Sequence, residues 1–237
     1  MSSAWLILPT YNEAENLEPM VRAVLPRLAE GGTTPTILVV DDASPDGTGQ
    51  IADRLAAELP DVRVLHRPEK DGLGRAYLAG FAVALEGGAD LILQMDCDFS
   101  HDPADVPRLI AAINEADVAL GSRYVPGGGV ENWALRRRIQ SRGGCAYARL
   151  ILGVRVRDLT GGFKCWRRGA LEALNLDGID AHGYGFQIEM TYRAIEAGLS
   201  VTEVPIVFRE RREGQSKMTA RITLEAVWKV PVLRLRS

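Results

Sequence analysis

The chain is poor in the residues that carry sulfur, imidazole and glycine-loop chemistry. Its three cysteines, Cys97, Cys145 and Cys165, are an odd set without CxxC spacing. That speaks against a zinc site and for reduced thiols in a cytoplasmic setting. Only three histidines occur, and no Ser-His-Asp arrangement is visible. No glycine precedes Gly31, and the pattern GxxxxGK[ST] is absent. The first apolar run therefore cannot feed a glycine-rich phosphate cradle, which counts against a P-loop, a dinucleotide fold and a sugar-nucleotide pyrophosphorylase. No stretch reaches the ~18 apolar residues needed to cross a bilayer. The opening "MSSAWLILPTYNE" lacks a basic flank and does not read as a signal peptide. Any membrane contact is then expected to be peripheral. A net charge of −3 gives no global pull toward nucleic acid.

An apolar share of 46% over 237 residues suits a globular chain with a good core. Repeats, low-complexity segments and linkers are missing, so one domain is expected. Short apolar runs at 4–8, 36–40, 62–65, 91–95 and 118–122 read as strands. Helical spacing fills 14–30, 47–58, 72–87 and 104–116. Such alternation predicts an α/β fold, a mostly parallel central sheet flanked by helices, with ligands beyond the carboxyl ends of the strands. The second half is less regular. A helix over 133–153 broken at Gly143 and Gly144, a turn into a strand at 161–168, a helix at 186–198, a strand at 201–208 and a last helix at 219–230 are expected.

Three of the predicted strands end in polar residues: "PTYNE" after the first, "DDASPDGTG" after the second, "DCD" after the fourth. A common rim would hold Glu13, Asp41, Asp42, Asp96 and Asp98. Helix capping by Asn12, Glu13, Ser44, Asp46 or Thr48 is the plain alternative for the first two segments. Capping does not account for Asp41 with Asp42, nor for Asp96 with Asp98. In an extended chain Asp96 and Asp98 point to one face, and two charges ~4 Å apart repel by several kcal/mol unless solvated. A hard dication, Mg2+ or Mn2+, removes that conflict and shares its remaining coordination sites with a phosphate-bearing substrate. His101 is either a ligand beside them or a structural residue. "DGLGRAYLAGF" (71–81) reads as close packing or a nucleotide contact.

The second half supplies positive charge: Arg123 after the fifth strand, then "RRRIQSR" (136–142) and "RERREGQSK" (209–217). These would stabilise phosphate groups, although Arg136 to Arg138 read equally well as a solvated helix face. Trp133, Leu135, Ile139, Trp166, Val227 and Trp228 could place apolar surface beside those charges, as an anionic lipid head with a long tail would require.

The segments "LPTYNEAENL", "VVDDASPDGTGQIAD", "GLGRAYLAGF", "MDCDFSHDP", "LGSRYVPGG", "DLTGGFKCWRR", "GYGFQIEM" and "EVPIVFRERREGQSKM" run in order over residues 7–218. In that order the chain resembles the polyprenyl-phosphate (dolichyl-phosphate) mannose synthases, inverting family 2 glycosyltransferases of GT-A fold. The resemblance implies a nucleotide-sugar-binding half (1–123) and an acceptor-binding half (124–237). It places the guanine nucleotide against Pro9, Tyr11, Glu13, Val40 and Asp42. Sugar diphosphate and metal map to Asp96, Cys97 and Asp98, with Ser100 where some members carry a glutamine ligand. Arg123, Arg211 and Lys217 map to donor and acceptor phosphates, and Arg137 and Ser141 to the acceptor phosphate. Glu189 takes a supporting place near the acceptor. Cys97 replaces the commoner alanine between the aspartates.

The activity so implied is transfer of mannose from GDP-mannose to a polyprenyl phosphate, giving polyprenyl phosphomannose and GDP. A phosphate monoester is already anionic, so the nucleophile needs no general base. A glucosyl or aminosugar transferase using a UDP donor is the nearest rival, and a non-catalytic nucleotide-sugar binder the rival from another class. Some relatives continue into transmembrane helices, whereas this sequence ends at Ser237 after "VPVLRLRS". The expected location is cytoplasmic, peripheral at the membrane face, through the chain itself, a separate membrane protein or a fused domain.

Overall fold

A computed structural model describes residues 1–179, 184–210 and 228–235. β1 (Ser3–Thr10), α1 (Ala14–Glu30), β2 (Thr34–Asp41), α2 (Thr48–Glu58), β3 (Val62–His66), α3 (Leu73–Glu86) and β4 (Leu91–Gln94) alternate strictly. Then follow α4 (Val106–Ala112), β5 (Val118–Ser122), β6 (Gly129–Val130), α5 (Leu135–Leu152), β7 (Lys164–Arg167), α6 (Arg168–Glu172), α7 (Tyr184–Glu196), β8 (Val201–Pro205) and β9 (Val207–Phe208). Residues 228–235 are helical.

Seven strands form one sheet in the order β3-β2-β1-β4-β7-β5-β8. All neighbours are parallel except β7, which runs antiparallel to both β4 and β5. The continuous apolar run of β1 reflects burial on both faces. Leu6 and Leu8 point to the layer of α1, α2 and α4, while Trp5 and Ile7 point to that of α3, α6 and α7. On α1, Leu17, Met20, Val21, Val24 and Leu28 form one buried stripe at helical spacing, and Pro19 and Pro26 face outward. On α3, a Cβ added at Gly80 would lie 2.4 Å from Ile7 Cγ2, so the glycine lets that helix sit tightly on the sheet. This is the packing use expected for "GLGRAYLAGF". Order reverses between β1 and β4, which opens a crevice beyond their carboxyl ends.

The "DDASPDG" loop both caps helices and builds the rim. Asn12, Glu13 and Ala14 direct their backbone N–H groups to Ser44 Oγ, Thr48 Oγ1 and Asp46 Oδ2. Asp46 also accepts from the Thr48 backbone and hydroxyl, so one carboxylate joins the starts of α1 and α2. Asp46→Ala is expected to lower stability by about 1 kcal/mol, read as a lower urea midpoint at unchanged slope.

Several expectations need correction. β4 stops at Gln94, so Met95 and the acidic pair lie in a bend beyond the strand. α5 runs unbroken through Gly143 and Gly144, held by buried Cys145, Ala148 and Leu152 on its sheet side. The strand expected over 201–208 divides at Ile206: β8 joins the main sheet, and β9 pairs with β6 in a two-stranded ribbon. Of the last helix expected over 219–230, residues 219–227 lie outside the described residues, and the helix seen covers 228–235.

A candidate active site at the carboxyl ends of the strands

At the adjacent ends of β1 and β2, Pro9 and Val40 are register partners. Val40 is wholly buried and forms floor rather than surface. Just past β1, the Lys70 ammonium sits 3.8 Å from the centre of the Tyr11 ring. Asp41 accepts from Thr10 Oγ1, Ser44 Oγ and the Ser44 backbone, which makes it a builder of the loop. Asp42 receives the Arg67 guanidinium at 2.6 Å. Burial pushes the Asp42 carboxyl up, and Arg67 pulls against it. Glu13 precedes α1 and accepts from the Asn16 side chain.

Beyond β4 the chain bends tightly, with Phe99 in the left-handed region at φ 59°. Asn12 (φ 58°) and Ala43 (φ 53°) hold the same unusual conformation after β1 and β2. Left-handed non-glycine residues are uncommon and cluster where geometry serves function. Here all three strand-end loops carry one. In the bend, Asp98 Oδ1 accepts from the Ser100 backbone at 3.0 Å. The Tyr77 hydroxyl donates to Asp96 Oδ1 at 3.3 Å. Burial first, then Asp96 and Asp98, push that phenol far above its ordinary range, so it remains a donor. Both carboxylates thus act on Tyr77, and both act on His101 as well. They share one neighbourhood despite leaving the strand. His101 Nδ1 accepts from the Asp96 backbone at 3.4 Å, and its ring lies between Phe163 and Phe208 at 5.0 and 5.2 Å. Burial drives its pKa down, so the neutral ring braces the bend. Cys97 packs into the core.

On the other side, Arg123 is buried and fully oriented. Its Nε and Nη2 donate to Asp158 at 2.7 and 2.6 Å, and Nη2 also donates to Thr160 Oγ1. Burial works to raise the Asp158 carboxyl, but Arg123 overrides it and holds the group charged. Arg123 is therefore a clamped cation, held in one orientation by Asp158 and Thr160. Its guanidinium lies 5.7 Å from the Trp133 ring centre, and Arg137 lies 4.0 Å from that ring. Tyr124 donates to Ser141 Oγ at 2.6 Å. Phe208 meets Trp133 edge-on at 5.4 Å and His101 at 5.2 Å. An aromatic bridge thus connects the acidic bend to Arg123, Arg137 and Ser141. Glu189 is bound to Arg193 at 2.5 Å, which ties α7 to the 175–178 turn. Arg211 and Lys217 lie outside the described residues.

The family model described as glycosyl transferase family 2 matches residues 5–174. The chain belongs to the family 2 glycosyltransferases. It is 50% identical over 221 residues, 93% of this chain and 89% of the relative, to an undecaprenyl-phosphate mannosyltransferase of Micrococcus luteus. A polyprenol monophosphomannose synthase of Mycolicibacterium smegmatis is 49% identical over 227 residues, 95% of this chain and 84% of its own. Among solved structures, a Mycobacterium tuberculosis glucosyl-3-phosphoglycerate synthase with Mg2+ and UDP gives a TM-score of 0.72 at 18% identity, covering 98% of this chain and 79% of that one. The same enzyme with Mn2+, UDP-glucose and glycerol 3-phosphate gives 0.67 at 19% identity, covering 99% and 79%. The GT-A type fold is shown by these matches.

The donor atoms at this candidate site fit a metal by their chemistry. Among the described residues no three His, Cys, Asp or Glu side chains converge. What is present is Asp96, Asp98 and the Ser100 hydroxyl, which is buried and has no hydrogen-bond partner among the described residues. Two carboxylates and an unpartnered hydroxyl suit a hard dication that draws its other oxygens from substrate and water. Sequence reasoning did not single out Arg67, Lys70, Tyr77, Asp158, Thr160 and Phe208. Arg123 and Asp158 stand 35 positions apart, with nothing in either neighbourhood to announce the pair.

Proposed function

We propose that this chain transfers mannose from GDP-mannose to a polyprenyl monophosphate, with inversion at the anomeric carbon. Half-identity over more than nine tenths of the chain to two polyprenyl-phosphate mannosyltransferases carries the reading. The strand-end chemistry supports it. Tyr11, Lys70, Asp42 and Pro9 line the nucleotide side, with Val40 beneath and Glu13 at the helix start. Asp96, Asp98 and Ser100 would hold Mg2+ or Mn2+, with Cys97 filling the bend. When bound, such an ion neutralises charge on the leaving diphosphate. Arg137 and Ser141 receive the acceptor phosphate, and Arg211 and Lys217 are assigned to phosphate as well. Arg123 is assigned to phosphate with them, and it also orients this cluster through Trp133. One acceptor phosphate oxygen forms the new bond to the anomeric carbon as the bond to the GDP oxygen breaks, and no proton need move. The protein's work is alignment and charge stabilisation. In this division residues 1–123 serve mainly the donor and 124–237 the acceptor.

The lipid acceptor calls for a membrane seat. No helix among the described residues is long and apolar enough to cross a membrane. The first turns of α5 instead expose Leu135 (72%) and Ile139 (64%), one helical turn apart, beside exposed Arg136, Arg138 and Arg142. Trp228 is exposed too, whereas Trp133 and Trp166 are buried. Val227 is outside the described residues. We place the chain at the cytoplasmic face, with α5 against anionic lipid. Leu135→Asp with Ile139→Asp is expected to abolish flotation with phosphatidylglycerol vesicles. Unchanged flotation would remove this seat.

The decisive assay offers GDP- and UDP-hexoses, a short polyprenyl phosphate and either metal. Glycolipid should form from GDP-mannose, stop with chelator and resume when metal is restored. Product from a UDP-hexose instead, or binding without turnover for every donor, would overturn the proposal.

A further inference from the structure

Gln187, on the first turn of α7, is 3% exposed. Its Oε1 accepts from the buried Lys164 Nζ at 2.5 Å, and Lys164 also donates to the Gln187 carbonyl at 3.3 Å. That carbonyl in turn accepts from Thr191 Oγ1. Lys164 is placed by β7, opposite Gln94 at the end of β4, where the acidic bend begins. With Lys164 donating to the oxygen, the carboxamide nitrogen is turned away from it. Gln187 Nε2 is left buried with no hydrogen-bond partner among the described residues. An unmet buried donor costs about 1–3 kcal/mol, so its persistence calls for an explanation.

Gly162 lies close to Nε2. A Cβ built there would lie 3.5 Å from Gln187 Nε2 and 3.9 Å from both Asp96 Oδ2 and His101 Cε1. Those are ordinary contacts, and the φ of Gly162 is not in the left-handed region. Neither packing nor backbone conformation demands a glycine, unlike Gly80. The missing side chain leaves a gap of about one methyl group between an N–H donor and a carboxylate oxygen. A donor and an acceptor side by side suit a hydroxyl, which both accepts and donates. A phosphate oxygen, which only accepts, would meet the Asp96 carboxylate.

We infer that Gln187 recognises the transferred sugar: pinned by Lys164, its Nε2–H donates to a hexose hydroxyl seated in the gap beside Gly162 and Asp96. This rests on the transfer reading above. It makes Lys164 a positioning residue and gives the second half of the chain a contact to the donor as well as to the acceptor.

Three variants separate the gap from the fold. Gln187→Glu keeps an oxygen for Lys164 and exchanges the N–H donor for a second, negatively charged oxygen, so Gln187→Met, which removes the donor without adding charge, is measured beside it. Gly162→Ala leaves Gln187 intact and fills the space. Binding of GDP-mannose and of GDP, each with Mn2+, is measured by calorimetry. All three variants should bind GDP-mannose about tenfold more weakly than wild type, with GDP unchanged. Among GDP-mannose analogues lacking single hydroxyls, one should bind wild type weakly yet suffer no further loss in Gln187→Glu. Equal losses for GDP and GDP-mannose, no loss in any variant, or additive losses for every analogue would overturn the inference. Wild-type protein that binds no nucleotide sugar would remove the transfer reading and this inference together. Wild-type transfer with Gln187→Glu unimpaired would remove this inference alone.

Discussion

Asp98→Ala is expected to lower mannosyl transfer at least about a thousandfold, with little loss of stability. Asp98 is 3% exposed and bonds the Ser100 backbone across the bend. Part of any alanine effect could come from loosening that bend, so Asp98→Asn is the informative companion. The amide oxygen still accepts from Ser100, while the charge that would hold a dication is gone. Both variants should be inactive, the asparagine form should unfold at the wild-type temperature, and neither should bind GDP more tightly when metal is added. Near-normal turnover in Asp98→Asn would show that the negative charge has no part in transfer.

The second large effect concerns stability. Asp158 has no exposed surface and Arg123 is almost as deep. Truncating one partner leaves the other charge buried and unmatched, which costs about 3–5 kcal/mol. Asp158→Ala should therefore unfold at a much lower urea concentration, and Arg123→Met comparably. The double variant Arg123→Met with Asp158→Leu should recover most of that loss, because no lone charge remains, yet stay inactive if the clamped guanidinium orients the acceptor cluster. Recovery of activity with stability would make the pair purely structural. The sign with pH follows from the direction of the shift. Asp158 is held below its ordinary range against the effect of burial. Its contribution is full above about pH 4, the usual carboxylate value, and is lost as pH falls through the lowered one. Acid unfolding of wild type should carry a component that the double variant lacks.

Much of the architecture was legible because the strands of a parallel sheet are apolar on both faces and the helices between them keep a buried stripe. Leu6, Ile37 and Leu93 sit where such runs must sit. Legibility fails where one element answers to tertiary packing. β7 is four residues long and enters antiparallel between β4 and β5, a choice that "FKCWRR" does not encode locally. Glycines 143 and 144 disfavour helix by about 1 kcal/mol each, yet three buried side chains beyond them carry α5 through. At the site, the acidic pairs stand out at the strand ends, but strand alternation does not bring Asp96 and Asp98 together. Asp96 and Asp98 share a neighbourhood through a bend with left-handed Phe99, not through the alternation of an extended strand. Arg67 and Lys70 follow β3, whose end carried no acidic signal, and they meet Asp42 and Tyr11 only once the sheet is assembled. Gln187 lies inside "GYGFQIEM", a neutral residue two positions before the acidic Glu189. Its nitrogen, without a hydrogen-bond partner among the described residues and close to Gly162, distinguishes it.

We propose that a dication joins the Asp96–Asp98 bend to the pyrophosphate of the donor. Anomalous diffraction from crystals soaked with Mn2+ and GDP tests it directly. A manganese peak touching both the Asp98 carboxylate and the GDP diphosphate is the predicted result. GDP bound with no manganese at the bend, or manganese bound away from Asp96 and Asp98, would contradict it.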